Sequence, residues 1–139
     1  MLTPPDGPPA YAFELPGYVT PLLNETLRTH FRKRRNQNKA LAWMLRCAYP
    51  GPLPPIPLPR SVVQVVRRSI GSPDQDGLVG GFKSLLDCLQ PVSARHPHGL
   101  GFIADDSQAA LTLIPVAERV RTRAAVGMTI RIWPYPASI

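Results

Sequence analysis

The sequence predicts one domain that combines helices and strands, on three observations. Its 139 residues suffice for one core and are too few for two, with 44% hydrophobic residues. Two stretches repeat apolar side chains at helical spacing, around residues 24–48 and 76–90. Three others, 60–69, 109–116 and 124–133, are rich in β-branched residues and read as strands.

Residues 1–21 carry six prolines and little periodicity. They are expected to form a proline-rich arm, or an edge strand around "AYAFEL", with the core and the main domain (22–135) beginning after it. Asn24 is a suitable N-cap, with Glu25 in the first turn, for a helix that runs to Ala48 before "YPGPLPP" stops it. Leu27, Phe31, Leu41, Leu45 and Ala48 make its apolar stripe, and Arg28, Arg32, Arg35, Lys39 and Arg46 lie beside it. "PGPLPPIPLP", residues 50–59, holds six prolines in ten positions and reads as a stiff connector packed on the surface.

"RSVVQVVRRS" is the first central strand and ends in Arg67 and Arg68. Over residues 76–90 one helix places Leu78, Phe82, Leu85, Leu86 and Leu89 on one face. Asp76, Gly80, Lys83 and Asp87 form a stripe almost opposite. The short apolar run "GFIA" could end a strand just before Asp105 and Asp106. "AALTLIPV" gives a further strand, and "AAVGMTIRIW" alternates Val126, Met128, Ile130 and Ile132 against Ala125, Gly127, Thr129 and Arg131.

The formal net charge is +7, which favours a polyanionic partner such as nucleic acid or an anionic surface. No run approaches the ~20 apolar residues of a membrane span, and "MLTPPDGPPAYAFELPG" has neither the basic start nor the apolar stretch of a secretory signal. A cytoplasmic protein without membrane contact is expected. Cys47 and Cys88 stand far apart in apolar helical patterns and are expected to be buried thiols.

Charge is unevenly distributed along the chain. Between Thr26 and Pro73 there are ten basic residues and no acid, whereas five of the nine acids fall between Asp74 and Asp106. The plain account of Lys83 and Asp87 is an i, i+4 ion pair on a solvated face, worth a few tenths of a kcal/mol. Against it stand the Asp74-x-Asp76 pair at the helix entrance, the costly Gly80-Gly81 inside the helix, and Asp105-Asp106. The glycines suggest close approach of another group at that turn. Carboxylates gathered this way repel one another unless a divalent cation joins them, and oxygen-only ligands suit Mg²⁺ or Mn²⁺.

D-x-D alone is a weak signal. The ordered set is more specific: a strand ending in arginines, D-x-D, a helix with K-x-x-x-D-x-L, then an apolar run into A-D-D-S. In this the sequence resembles the RusA-type Holliday junction resolvases of bacteria and their prophages. Gly77 stands where many members carry asparagine, and the seven positions from Asp76 to Lys83 exceed the spacing of the enterobacterial form.

The resemblance implies an α+β fold, a single domain with a mixed β-sheet flanked by helices. It implies a homodimer that acts as a Mg²⁺-dependent, structure-selective endodeoxyribonuclease, resolving four-way DNA by symmetric phosphodiester hydrolysis in recombination and repair. Carried onto this chain, Asp74, Asp76 and Asp106 would be metal ligands, with Asp105 and Asp87 as further candidates, and Lys83 would be the essential lysine. Arg28, Arg32, Lys33, Arg34, Arg35, Lys39, Arg67 and Arg68 are the expected DNA contacts. His96 and His98 in "RHPHG" are expected to be exposed loop residues, and His30 a phosphate contact at most. The alternatives are a nucleic-acid-binding homologue without catalysis and, further off, a proline-rich adaptor acting through residues 50–59.

Overall fold

The strand expected at 124–133 from its alternating apolar residues is the one around which the sheet is assembled. In a computed structural model, which describes residues 3–22, 31–71 and 75–135 and omits the side chains of residues 31, 75 and 76, most of the expected elements are present, and the expected helix start at Asn24, with Glu25 and Leu27, lies outside the described residues. They are β1 (Tyr11–Pro16), α1 (Phe31–Ala48), β2 (Ser61–Ser69), α2 (Gln75–Gly81), α3 (Lys83–Leu89), β3 (Leu111–Arg119), a 3₁₀ turn at Arg123–Ala125, and β4 (Gly127–Pro134). The fold is a single small α+β domain with a mixed four-stranded sheet in the order β1-β4-β2-β3.

β4 runs antiparallel to both β1 and β2, whereas β2 and β3 are parallel. A parallel pair cannot be closed by a tight turn, so the chain between β2 and β3 must cross the sheet. It does so through α2, α3 and the loop that follows. Pairing of β1 with β4 over its full length makes β1 one edge of the sheet.

Side chains alternate across the strands as the pleat requires. Phe13, Leu15, Val63, Val65, Met128, Ile130 and Ile132 point to one face, where they meet Leu41 and Leu45 of α1 and Leu78, Leu85 and Leu89 of α2 and α3. Phe13 and Leu15 are fully part of this core, so it begins inside the N-terminal segment rather than after it. The edge-on packing of Tyr11, Phe13, Tyr49 and Phe102, with ring centroids 5.0–6.0 Å apart, ties β1 to the end of α1 and to the loop before Asp105. On the opposite face a smaller cluster of Val62, Ile114 and Trp133 lies under the N-terminal segment, where the Trp133 indole donates to the Gly7 carbonyl at 3.2 Å.

Three expectations are corrected. The helix expected over 76–90 is two helices with a break at Phe82. The Phe82 N–H donates to Val79, a tighter i→i+3 turn, before Leu86 N–H resumes the α pattern on the Phe82 carbonyl. Consecutive glycines weaken the helix just where it breaks. "GFIA" forms no strand and makes only a parallel bridge, Leu58 to Ile103, which docks the end of the proline-rich connector on the core. Cys47 is exposed, because it falls off the inward stripe of α1, while Cys88 is buried as expected.

The close approach anticipated at the glycine pair is made by the chain itself. A Cβ on Gly81 would collide with the Pro21 carbonyl. Gly81→Ala should therefore destabilise the fold by about 1–3 kcal/mol through overpacking against backbone that cannot swing aside. Urea unfolding checks this, and a variant as stable as wild type would mean that the 17–22 segment is not seated there.

Candidate nucleic-acid and metal site

The last carbonyls of α3 have no partner within the helix and must find donors elsewhere. Leu100 N–H reaches Cys88, Gly101 N–H reaches Gln90, and Phe102 and Ile103 N–H groups both reach Leu89, at 2.8–3.0 Å. Residues 91–99 are thereby closed into a loop beside α3. The chain beyond Ile103 is led back along the same helix. Asp106 returns to Lys83, and His96 returns to Asp87.

At the resulting site Lys83 Nζ lies 3.4 Å from Asp87 Oδ1 and 3.6 Å from Asp106 Oδ2, with His96 Nδ1 3.7 Å from Asp87 Oδ1. One ammonium thus bridges carboxylates from two elements, which the i, i+4 account does not anticipate. Lys83 is 67% exposed, so the pairs contribute little to stability. Asp105 turns back on its own loop. Hydrogen bonding from the Ser107 hydroxyl, and then from the Asp106 N–H at 2.8 Å, holds its carboxyl below the usual carboxylate range. Asp74 lies outside the described residues. Asp76 stands in α2, one helix before Lys83, with its side chain outside the description.

Lys83 and Asp87 form one wall of a cleft of about 800 Å³. Arg34, Arg35 and Asn38 of α1 form the facing wall, and Arg95 and His96 of the loop close it. Arg32, Lys33, Arg35 and Lys39 are exposed along α1, and Arg34 is half-buried. Arg28 and His30 are outside the described residues. Trp43, 71% exposed, borders a second groove together with Lys39 and Arg46, and His98 lines both hollows.

Two of the expected DNA contacts are engaged within the protein. Arg67 continues the inward stripe of Val63 and Val65, is only 7% exposed, and donates to the Thr20 carbonyl and the Ser69 hydroxyl. Arg68 points to the other face of the sheet, donating to Thr129 Oγ1 at 2.7 Å and pairing with Glu14 at 3.5 Å. Their placement follows from strand alternation, which sends neighbouring residues to opposite faces. His96 and His98, expected to be exposed, are half-buried, and His96 joins the acidic cluster because the 91–99 loop folds back on α3. Asn38, Arg95 and Trp43, which the sequence did not single out, line the two hollows.

Among the described residues, no group of three or more His, Cys, Asp or Glu side chains is gathered to hold a metal. Asp87 and Asp106 have the oxygen donors that a hard cation takes, and in this structure both are paired with the Lys83 ammonium. No family model, curated protein or solved structure matches the chain. Among the described residues, no helix is long and apolar enough to cross a membrane.

The two cysteines differ in a way that can be measured. Burial, with a smaller contribution from the Asp87 carboxylate, pushes the Cys88 thiol from 9.0 up to about 12. Its thiol also faces the Asn38 carbonyl at 3.4 Å. In the native protein, alkylation at pH 8 should modify Cys47 and spare Cys88 until the chain unfolds, as peptide mass mapping would report. The thiol is harder to ionise in the folded chain, so its contribution to stability is complete below pH 9 and falls away as pH rises toward 12. The midpoint of urea unfolding in Cys88→Ser should lose that part of the alkaline decline.

Proposed function

We propose that the protein is a divalent-metal-dependent endonuclease of the RusA type that acts on branched DNA, four-way junctions above all, as a homodimer. The observation that carries this reading is Lys83 held between Asp87 and Asp106 on one wall of a cleft whose facing wall is the basic helix α1. Asp87 shares this hollow with basic groups that attract phosphate, and Lys83 links it to Asp106. Phosphodiester hydrolysis needs groups of both signs.

The residues divide the work by chemistry. The exposed Arg32, Lys33, Arg35 and Lys39 attract the phosphate backbone without regard to sequence. Trp43 beside Lys39 offers an aromatic face for an unpaired base near a branch point. Asp106 would hold the Mg²⁺, joined by Asp74 and Asp76 on the strength of the family resemblance. Held there, Mg²⁺ would supply a lowered pKa for a bound water and neutralising charge at the scissile phosphate. Lys83, steered by Asp87, stabilises charge that develops on the phosphoryl oxygens. A two-fold dimer would deliver two symmetrical cuts to a symmetrical junction.

Cleavage of a labelled four-way junction beside linear duplex, with and without Mg²⁺, tests the reading. Asp106→Asn should abolish cleavage and leave gel-shift affinity nearly intact, because a ligand is lost while local negative charge falls. Unchanged cleavage in that variant would reject the site.

Lys83→Met should keep its stability within about 0.5 kcal/mol of wild type, as expected for an exposed pair. Its single-turnover rate at saturating Mg²⁺ should fall on the order of 100-fold or more. A loss below about threefold would reduce Lys83 to a surface ion-pair partner.

A further inference from the structure

The connection between β3 and β4 carries three arginines in five positions, Arg119, Arg121 and Arg123, and all three are exposed. Among the described residues none of them enters an ion pair. The one acid beside them, Glu118, stands opposite Arg68 across the parallel ladder, on the other face of the sheet from Arg119. The backbone that presents the arginines is braced. Val120 N–H donates to the Ser69 carbonyl at 2.9 Å, and the Thr122 and Arg123 carbonyls accept from Ala125 and Val126 at 3.1 and 3.2 Å. Like charges fixed this close repel one another, and a polyanion relieves that repulsion.

The position of this loop selects the anion. Arg67, near the end of β2, donates to the Thr20 carbonyl, and the next carbonyl, of Pro21, lies against Gly81. Lys83 follows two residues later, so the acidic site sits at the end of the sheet where β2 finishes. The basic half of α1 is at that same end, since Arg34 and Arg35 share the cleft with Lys83, whereas Tyr49 packs on Tyr11 beside the start of β2. The 119–123 connection leaves from there too, because Arg119 is paired with Ser69, the last residue of β2. The two basic groups nevertheless flank the site from opposite sides. α1 packs against β1, whereas α2, which carries Asp76, packs against β3. β1 and β3 are three strand spacings apart, about 14 Å, a length over which one DNA strand presents about four phosphates.

We infer that the Arg119–Arg123 connection is a second contact for the DNA backbone, so that one strand runs from α1 past the acidic site to these arginines. Guanidinium groups suit the task because each can grip a phosphate through two parallel N–H bonds. An anionic lipid surface is the weaker fit, since no large apolar side chain is exposed among residues 119–125 to enter it. The choice of DNA as the polyanion rests on the nuclease reading above.

Binding of a labelled duplex of about 20 base pairs to the full chain, without metal, is followed by fluorescence anisotropy over a range of salt. The triple variant Arg119→Ala/Arg121→Ala/Arg123→Ala should bind tenfold or more weakly. Its slope of log K against log salt should flatten by about 2, as two to three lost phosphate contacts require. Arg60→Ala, at the other end of β2, removes the same charge as Arg121→Ala and controls for net charge alone. Arg60→Ala should stay within twofold of wild type, and Arg121→Ala should lose threefold or more. Equal losses in these two, or an unchanged slope in the triple variant, would overturn the inference. If the triple variant does not fold, the two single variants decide. Loss of binding to phosphatidylserine vesicles with DNA affinity intact would make the connection a membrane contact and would also overturn it. Junction cleavage with Mg²⁺ is scored separately. Weakened binding in the triple variant of a chain that never cuts would keep the second contact and reject the nuclease, whereas cutting with unchanged binding would do the reverse.

Discussion

The capping of α3 by the chain that returns after it is the constraint on which the rest of the site depends. Four N–H groups between Leu100 and Ile103 satisfy carbonyls of Cys88, Leu89 and Gln90. Without them the helix would end in unpaired acceptors against a dry core. Because the same backbone segment carries Phe102 and Ile103 into that core, capping and burial reinforce each other. Loss of the Phe102 ring would open a cavity among Tyr11, Phe13 and Tyr49 and would also release the cap. Asp106 and His96 hang from the two sides of this junction, so the site inherits its geometry from a packing decision made several residues away.

Electrostatics within the cleft follow from that geometry. A lysine at the start of a short helix has its nearest partner one turn on, at Asp87, and exposed pairs of that kind are weak. Asp106, brought in by a separate segment, adds a second carboxylate to the same ammonium and turns a local pair into a small network. The arginines of α1 stand across the hollow rather than beside the carboxylates. Opposite charges are therefore kept within reach of a common ligand and apart from one another.

How far this could be read from residue order depends on the range of the interaction. The strand at 127–134 was legible because its alternation is local and strict, and the register of β4 puts Met128, Ile130 and Ile132 inward as that alternation requires. Arg67 was legible by the same rule. It stands two places beyond Val65, but positive charge near an acidic motif suggested a partner outside instead. Gly80-Gly81 signalled a close approach without naming what approaches, and Pro21 is too distant in sequence to be guessed. His96 could not be placed, since only the closure of the 91–99 loop brings it to Asp87. Asn38 left a faint sign in the interruption of the apolar stripe between Phe31 and Leu41.

The pairing of the sheet also bears on how copies of this chain can meet. Among the described residues β3 is paired only with β2, which leaves its other side as an edge, and Pro115 sits in the middle of it opposite Val65. A proline has no N–H to offer, so a strand laid against that edge would find the ladder broken at its centre. At the far side of the sheet, β1 ends in Pro16. Growth of the sheet from one molecule into the next is thus obstructed at the β3 edge and shortened at the β1 edge. Open-ended growth through the β3 edge is therefore disfavoured, while the β1 edge, the faces and the loops stay available for a closed pair.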